Sequence, residues 1–453
     1  MVSKLINVGG SSGVGKTTLT TFLSFLFDGV YHLKGDDLHK WERNDSNWKN
    51  ITHLNPDANN LELGKQQIFN LLENKTVYRN HYDHDTGKFI NNVKIKPDYN
   101  VFINEGLHSL YDSYLCDRAD LNIYIKTEEN LKYQWKLNRD IEKRGYTKEQ
   151  VLSAIDMRKG DEIKYIHPQE ENADVIVTFT EKKDKSVDLE YECKTEYGCE
   201  VMVNLKKLYN LHRNFLLCCR KSSFEYELIQ GAGGNLSYKF KDKVIITSSG
   251  KTMSDVHILG GYSVTGNDKV YNNERPSMEL NFHKKINQRI VYHTHPIYVN
   301  TILCSKESKE VISEICEDYD FDYVDYVTPG DELAEAMNVN EKIIFLQNHG
   351  LICCGNSFTE VFNNSLKINQ LCKEWLIRNS KTFKTFRDTI NKTDKNCILY
   401  PDVAILPDDN SQINDYMLHI QEEVGLTANC LTSDEINKLK NMESEKYRIK
   451  INK

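Results

Sequence analysis

Residues Gly10–Thr17 read Gly-Ser-Ser-Gly-Val-Gly-Lys-Thr: a glycine, four residues, then Gly-Lys-Thr. The apolar run Leu5–Val8 precedes them and the amphipathic run Leu19–Phe27 follows, so the order is strand, loop, helix. In such a loop consecutive backbone N–H groups curl around phosphate oxygens, and the helix turns its positive end toward the same anion. Lys16 then reaches the β- and γ-phosphates, and Thr17 holds Mg²⁺. The expectation is a nucleotide site built from Gly10, Ser11, Ser12, Gly13, Val14, Gly15, Lys16, Thr17 and Thr18.

That site occupies only the start of the chain. At 453 residues the sequence exceeds what one growing core accommodates, so two domains of roughly 200 residues each are expected. With 39% hydrophobic and 27% charged residues and no long single-sign block, this is a globular rather than a disordered composition. The net charge of −8 supplies no basic footprint for nucleic acid. No apolar run approaches the roughly 20 residues that span a bilayer, and a strand begins almost at once, so a cytoplasmic protein without a membrane role is expected. The twelve cysteines lie as scattered singles or neighbours, which reads as reduced thiols.

Beyond the first helix, Val30–Leu33 runs into Gly35-Asp36-Asp37-Leu38-His39 with Arg43 close behind, a cluster where open parallel sheets hold ligands or a solvated polar loop. The strand Val101–Glu105 ends in an acid that can face the magnesium ion and its water shell. Strand Asn122–Ile125 follows, then a helix carrying Lys136, Arg139 and Arg144 with Asp140 beside Arg139. Arg139 and Arg144 lie five apart, too far for a simple one-face pair, so one is read as structural and the other as reaching phosphate. Arg158-Lys159, Tyr165–Gln169 and strand Val175–Thr178 come next.

Gly35-Asp36-x-x-His39 with Arg43, Thr52-His53 ahead of Pro56-x-Ala-Asn59, Tyr82-x-His84-Asp85 and Glu105-Gly-Leu-His108 resemble the phosphoribulokinase and uridine kinase family. So do Trp135-Lys136 with Arg139-Asp140-x-x-x-Arg144-Gly145, and Tyr165-Ile166-x-Pro168-Gln169 ahead of Ala173-Asp174, over about residues 4–180. The Glu-Gly-Leu-His and Arg-Asp-x-x-x-Arg-Gly pieces are nearer to phosphoribulokinases. The resemblance implies transfer of the ATP γ-phosphoryl group to a sugar hydroxyl, with Asp36 as the base and Glu105 the magnesium-side carboxylate. It makes His39, Arg43, Lys136, Arg139 and Arg144 the cations that contact phosphate. Where the family has an aromatic residue between the acid and the histidine, this chain has Asp37-Leu38.

From Thr180 the text turns charged and then alternates through Leu189–Cys193, a strand expected at the edge of the first sheet. The boundary is placed near residue 203, giving domains 1–203 and 204–453, with no Gly/Ser- or Pro-rich tether. Leu205–Cys219 has helical spacing. Gly231–Lys239 and, after strand Val244–Ile246, Thr247-Ser248-Ser249-Gly250-Lys251 combine glycines with small hydroxyls; anion cradles and plain hairpin turns both explain them. Pro276–His283 opens a helix. In Val291–Pro296 the pair His293-x-His295 is read on one strand face, where both can grip one metal ion. His349, at the end of another apolar run, adds a third nitrogen and Glu279 an oxygen.

Gly-Gly-Asn235-Leu-Ser237, Thr247-Ser-Ser-Gly250, Pro276-Ser277-x-Glu279 with His283, His293-x-His295-Pro296 and Asn348-His349-Gly350 resemble the class II aldolase/adducin family over roughly residues 205–380. The tail near Tyr400-Pro401-Asp402 is also similar to sugar-phosphate aldolases. Adducin-like members lack the metal histidines, so the resemblance implies an enzyme. It implies that His293, His295 and His349 bind Zn²⁺, that Glu279 is a ligand and then the acid/base, and that Asn235, Ser249, Gly250 and Ser277 hold a substrate phosphate. A second serine common in this family before the glutamate is here Met278. The resemblance also implies a homo-oligomer, a tetramer.

The fold class expected is α/β throughout: a P-loop kinase with a mostly parallel sheet, then an α/β class II aldolase-like domain. The function expected is a bifunctional enzyme of carbohydrate metabolism acting on sugars or sugar phosphates. The alternative is a uridine kinase-like nucleoside kinase fused to a dehydratase, an epimerase or a metal-free assembly module.

Overall fold

A computed structural model describes residues 3–142, 144–267, 269–337, 340–388 and 397–452. It divides into two compact units, Met1–Asn210 and Leu211–Lys453. Both are mixed α/β.

In the first unit β1 (Lys4–Gly10), β2 (Val30–Lys34), a hairpin of β3 (Val77–Asp83) and β4 (Lys88–Ile95), β5 (Val101–Gly106), β6 (Leu121–Thr127), β7 (Val175–Glu181) and β8 (Val187–Cys193) appear in chain order. The main sheet runs β2-β5-β1-β6-β7-β8 and is parallel except for β8 against β7. The alternating Leu189–Cys193 run thus forms the expected edge strand. Both faces of the inner strands are covered, which is why β1 and β5 read as near-continuous apolar runs. Their exception is a line of buried amides: Asn104 donates to Asn7 at 2.9 Å, and Asn7 to Asn122 at 2.9 Å, across three neighbouring strands. A one-residue slip leaves these amides unpaired in the core, so they hold the register.

The second unit adds β9 (Asn235–Phe240), β10 (Lys243–Thr247), β11 (Tyr262–Gly266), β12 (Lys269–Val270), β13 (Ile290–Thr294), β14 (Asp322–Val324), β15 (Ile343–Leu346) and β16 (Gly350–Gly355). They form one sheet in the order β12-β11-β10-β9-β13-β16-β15-β14, antiparallel except for β14 with β15. Phe282, Ile286, Val291, Leu333, Ile344 and Ile352 fill one core of this unit. The chain ends in the helices Ser433–Asn441 and Glu443–Ile451, whose Leu439 and Ile449 pack with Ala404, Leu406 and Leu431.

Three expectations are corrected. The cysteines are not all reduced thiols: Cys397 and Cys430 form a disulfide, brought together by folding across 33 residues of sequence. The helix after Pro276 starts only at Leu280. And His295 lies past the end of β13, at the turn into helix Ile297–Leu303. Among the described residues no helix is long and apolar enough to cross a membrane.

Candidate functional site

Each unit gathers its polar motif residues at one end of its sheet. In the first, β1 passes into the glycine loop and then helix Lys16–Leu26, capped by Gly15 in the left-handed conformation at φ 91°. Register pairs Val8 and Lys34 with Glu105, so the ends of β1, β2 and β5 lie side by side. Lys16 donates its ammonium to the carbonyls of Gly10 and Ser11 at 2.8 and 2.7 Å. Burial lowers Lys16 to about 8, against the opposing pull of Asp36 and Glu105. Glu105 accepts from Thr20 Oγ1 at 2.5 Å, one helical turn beyond Thr17.

Asp36 follows β2 in a short 3₁₀ turn, with His84 Nε2 3.0 Å and His39 Nε2 3.6 Å from its two oxygens. Enclosure works against ionisation of Asp36, but His84, His39 and Lys16 hold it well below the usual carboxylate range. His84 sits on the turn of the β3–β4 hairpin; its carbonyl accepts from Arg43, and its Nδ1 lies 3.4 Å from Arg144 Nη2. Both Arg139 and Arg144 pair with Asp140, at 2.9 and 3.3 Å. Asp140, in the last turn of helix Glu129–Glu142, thus bridges the two, one beside it on the helix and the other just past the helix end. Lys136 and Arg139 also reach Ser12 Oγ at 3.5 and 3.4 Å. Every expected cation of this site thus adjoins either Asp36 or the glycine loop, directly or through one residue.

The sequence assigns no role to two further residues here, His84 and Arg158. His84 lies inside Tyr82-x-His84-Asp85, but nothing in its spacing points to Asp36. Arg158, on helix Lys148–Asp161, is half-buried, its Nε makes no hydrogen bond among the described residues, and its charge adds to burial in lowering Lys136 to about 8. The same site has an aromatic side: His39 stacks on His53 at 4.9 Å, and Trp48 packs edge-on to His53. Burial drives His53 to about 3 and His108 to about 4, so both are neutral near pH 7.

In the second unit β13 delivers His293, the turn after it His295, and the β15–β16 turn His349; all three are buried and offer nitrogens within 4.8 Å of one another. His293 and His295 point their Nε2 atoms at each other at 3.0 Å. Glu279 closes the group, 3.6 Å from His293 Nε2 and 3.1 Å from His349 Nε2. Burial opposes its charge, yet the neighbouring imidazoles hold it well below the ordinary range, while burial pushes His293 far down. Three buried imidazoles facing one carboxylate are the donor set that suits Zn²⁺, so the residues fit the metal expected of them.

Asn235 donates to Glu279 Oε2 at 2.6 Å and to Ser277 Oγ at 3.3 Å. Its own oxygen meets His283 Nε2, and His283 Nδ1 meets Ser237 Oγ at 2.7 Å. His283 is thus a buried strut for Asn235, a part that sequence left blank. Beside them Ser248 and Ser249 have buried hydroxyls that make no hydrogen bond among the described residues, and Gly250 follows at the turn.

The model of the phosphoribulokinase / uridine kinase family matches residues 5–186, and that of the class II aldolase and adducin N-terminal domain matches residues 214–376. A phosphoribulokinase from Synechocystis sp. is 37% identical over 175 residues, 38% of this chain and 52% of that protein. The chain spans about half the length of the phosphoribulokinases it matches. A uridine kinase from Borrelia hermsii is 30% identical over 192 residues, 41% of this chain and 90% of that one. A solved N-terminal class II aldolase domain from Thermoplasma acidophilum is 19% identical, with a TM-score of 0.32 over 36% of this chain and 91% of that one.

Proposed function

Since this chain belongs, through residues 5–186, to the phosphoribulokinase/uridine kinase family and carries a class II aldolase/adducin domain at 214–376, we propose that it is a bifunctional enzyme of carbohydrate metabolism. Residues 1–203 transfer a phosphoryl group from ATP to a sugar or sugar phosphate, and residues 204–453 carry out zinc-dependent aldol cleavage or condensation of a sugar phosphate.

The observation that supports the first activity is the meeting of one ionised carboxylate, Asp36, with the cluster Arg43, Lys136, Arg139, Arg144 and Arg158. Asp36 accepts the proton of the acceptor hydroxyl, and His84 and His39 hold the carboxylate ionised for that purpose. Lys16 leaves its loop carbonyls for the transferred phosphate, and Arg139 and Lys136, already beside Ser12, follow the charge. Mg²⁺ held by Thr17 and Glu105 supplies charge neutralisation at the phosphates. Guanidinium forks in this number match an acceptor that already bears a phosphate. The second reading, a nucleoside acceptor, draws on the uridine kinase match over 90% of that protein's length and on the aromatic side formed by His39, His53 and Trp48.

For the second activity the support is the convergence of His293, His295 and His349 on Glu279. Zn²⁺ held there supplies Lewis acidity to a substrate carbonyl. Glu279, steadied by Asn235, moves the proton, and the free hydroxyls of Ser248 and Ser249 with Ser277 and Gly250 receive the phosphate. The family's dehydratases and epimerases use the same constellation and are the competing reading. A homo-oligomer, a tetramer, is proposed from the family alone.

The test is ATP consumption across pentose phosphates, ketose phosphates, sugar alcohols and nucleosides, with Lys16→Ala as the blank, followed by assay of the product for zinc- and His293-dependent cleavage. Turnover of one sugar phosphate and cleavage of its product support the reading. Turnover of uridine or cytidine alone sinks it.

A further inference from the structure

His295 uses only one ring nitrogen toward the site. Its other nitrogen, Nδ1, lies 2.7 Å from Oδ2 of Asp402, on the short helix Pro401–Ile405, and both side chains are buried, at 5% and 2% exposure. The second oxygen of Asp402 accepts from Arg448 Nη2 at 2.8 Å. Arg448, on the C-terminal helix, is locked in turn by both oxygens of Glu445 at 3.0–3.1 Å and by the Ala232 carbonyl at 3.4 Å. Asp402, Glu445 and Arg448 lie beyond the 214–376 span that matches the aldolase family model.

Resting on the metal reading above, we propose that Asp402 is the positioning residue of the metal site. It fixes the proton of His295 on Nδ1, so that Nε2 presents its lone pair to the ion, and Arg448 fixes which way Asp402 faces. A ligating histidine whose remote N–H is held by a carboxylate is turned and made more basic; loss of such a partner typically costs about 10- to 100-fold in metal affinity. The arrangement forbids a neutral substitute. In Asp402→Asn, Arg448 claims the amide oxygen and leaves the NH₂ facing His295. That donor requires an unprotonated Nδ1, which moves the ring proton to Nε2, where the metal must bind. Removing Arg448 as well frees the amide to turn its oxygen toward His295.

The experiment is zinc affinity of the full chain by competition with a chromophoric chelator, with the visible spectrum of the Co²⁺-loaded protein and the melting temperature of the metal-free protein read alongside. Wild type is expected to bind one metal ion, Asp402→Asn to bind about 10- to 100-fold more weakly with an altered Co²⁺ band, and Asp402→Asn/Arg448→Met to recover part of the loss. A purely structural ion pair predicts the reverse order, with the double variant weakest. Equal affinity in Asp402→Asn, or no recovery in the double variant, overturns the proposal while leaving the metal reading intact; a wild type that binds no metal overturns that reading instead. If Asp402→Asn does not fold, Gly233→Ala reports on the same contact. A Cβ at Gly233 lies 2.7 Å from Asp402 Oδ2 and 3.0 Å from His295 Nδ1, so the same fall in affinity is expected and unchanged affinity refutes the assignment.

Discussion

In the proposed phosphoryl transfer Asp36 and Lys136 have different roles, and pH separates them. With Asp36 held far below the usual carboxylate range, its role as base is not limiting anywhere near neutrality. Lys136, brought down to about 8 by burial and then by Arg158, loses its proton within an accessible range. kcat/KM for an anionic acceptor is therefore expected to fall as pH rises through about 8, and Lys136→Arg to carry the activity further up the scale. Stability moves the other way. The folded value lies below the ordinary 10.5, so between the two the unfolded chain binds more protons, and this group's contribution improves as pH rises across that window. A pH–rate profile that stays flat to pH 10 refutes the assignment. Asp36→Asn should lower kcat roughly 10²- to 10⁴-fold, the worth of a general base, with little change in KM for ATP.

Strand pairs decide whether the three histidines of the proposed metal site can meet. β13 and β16 approach so closely at the histidines that a Cβ on Gly350 lies 2.4 Å from the Thr294 carbonyl and 2.9 Å from ring carbons of both His293 and His295. Gly350→Ala forces the strands apart or the rings aside. Overpacking of this kind costs roughly 1–3 kcal/mol, which in a unit of this size is about 2–4 °C of melting temperature per kcal/mol. Zinc content per chain should fall with it, and retention of full zinc by a folded variant argues against the ring placement. In the first unit β1, β5 and β6 are legible from apolar runs, because buried parallel strands need no alternation, while β2 and β7 are partly exposed and show only as β-rich runs. The β3–β4 hairpin is not legible. Its polar, half-exposed strands carry no burial signal, yet its turn carries His84 to Asp36.

Two units with separate cores imply two separable activities. Lys16→Ala should abolish ATP consumption and leave zinc content and second-site turnover untouched, and His293→Ala the converse. A chelator that strips zinc while Mg²⁺ is maintained should leave kinase turnover unchanged. It should also lower the melting transition of the second unit, since a ligand at about 100 times its dissociation constant stabilises by about 2.7 kcal/mol. Loss of both activities from either single substitution contradicts this division.

Local motifs were written in the order of residues: the glycine loop, the acid at the end of β5, the Arg-Asp-x-x-x-Arg-Gly run, the His-x-His pair and the glutamate ahead of it. Phosphate cradles and metal grips need particular residue types at short fixed spacings, and short spacings survive being read along a line. Folding alone joined residues far apart in that line. His84 came to Asp36 across 48 positions, Asp402 to His295 across 107, and Cys397 to Cys430 across 33. These pairings depend on strand order, on the hairpin's placement and on where the C-terminal helix packs. Side chains that meet only because a core draws distant segments together leave no periodicity behind to announce them.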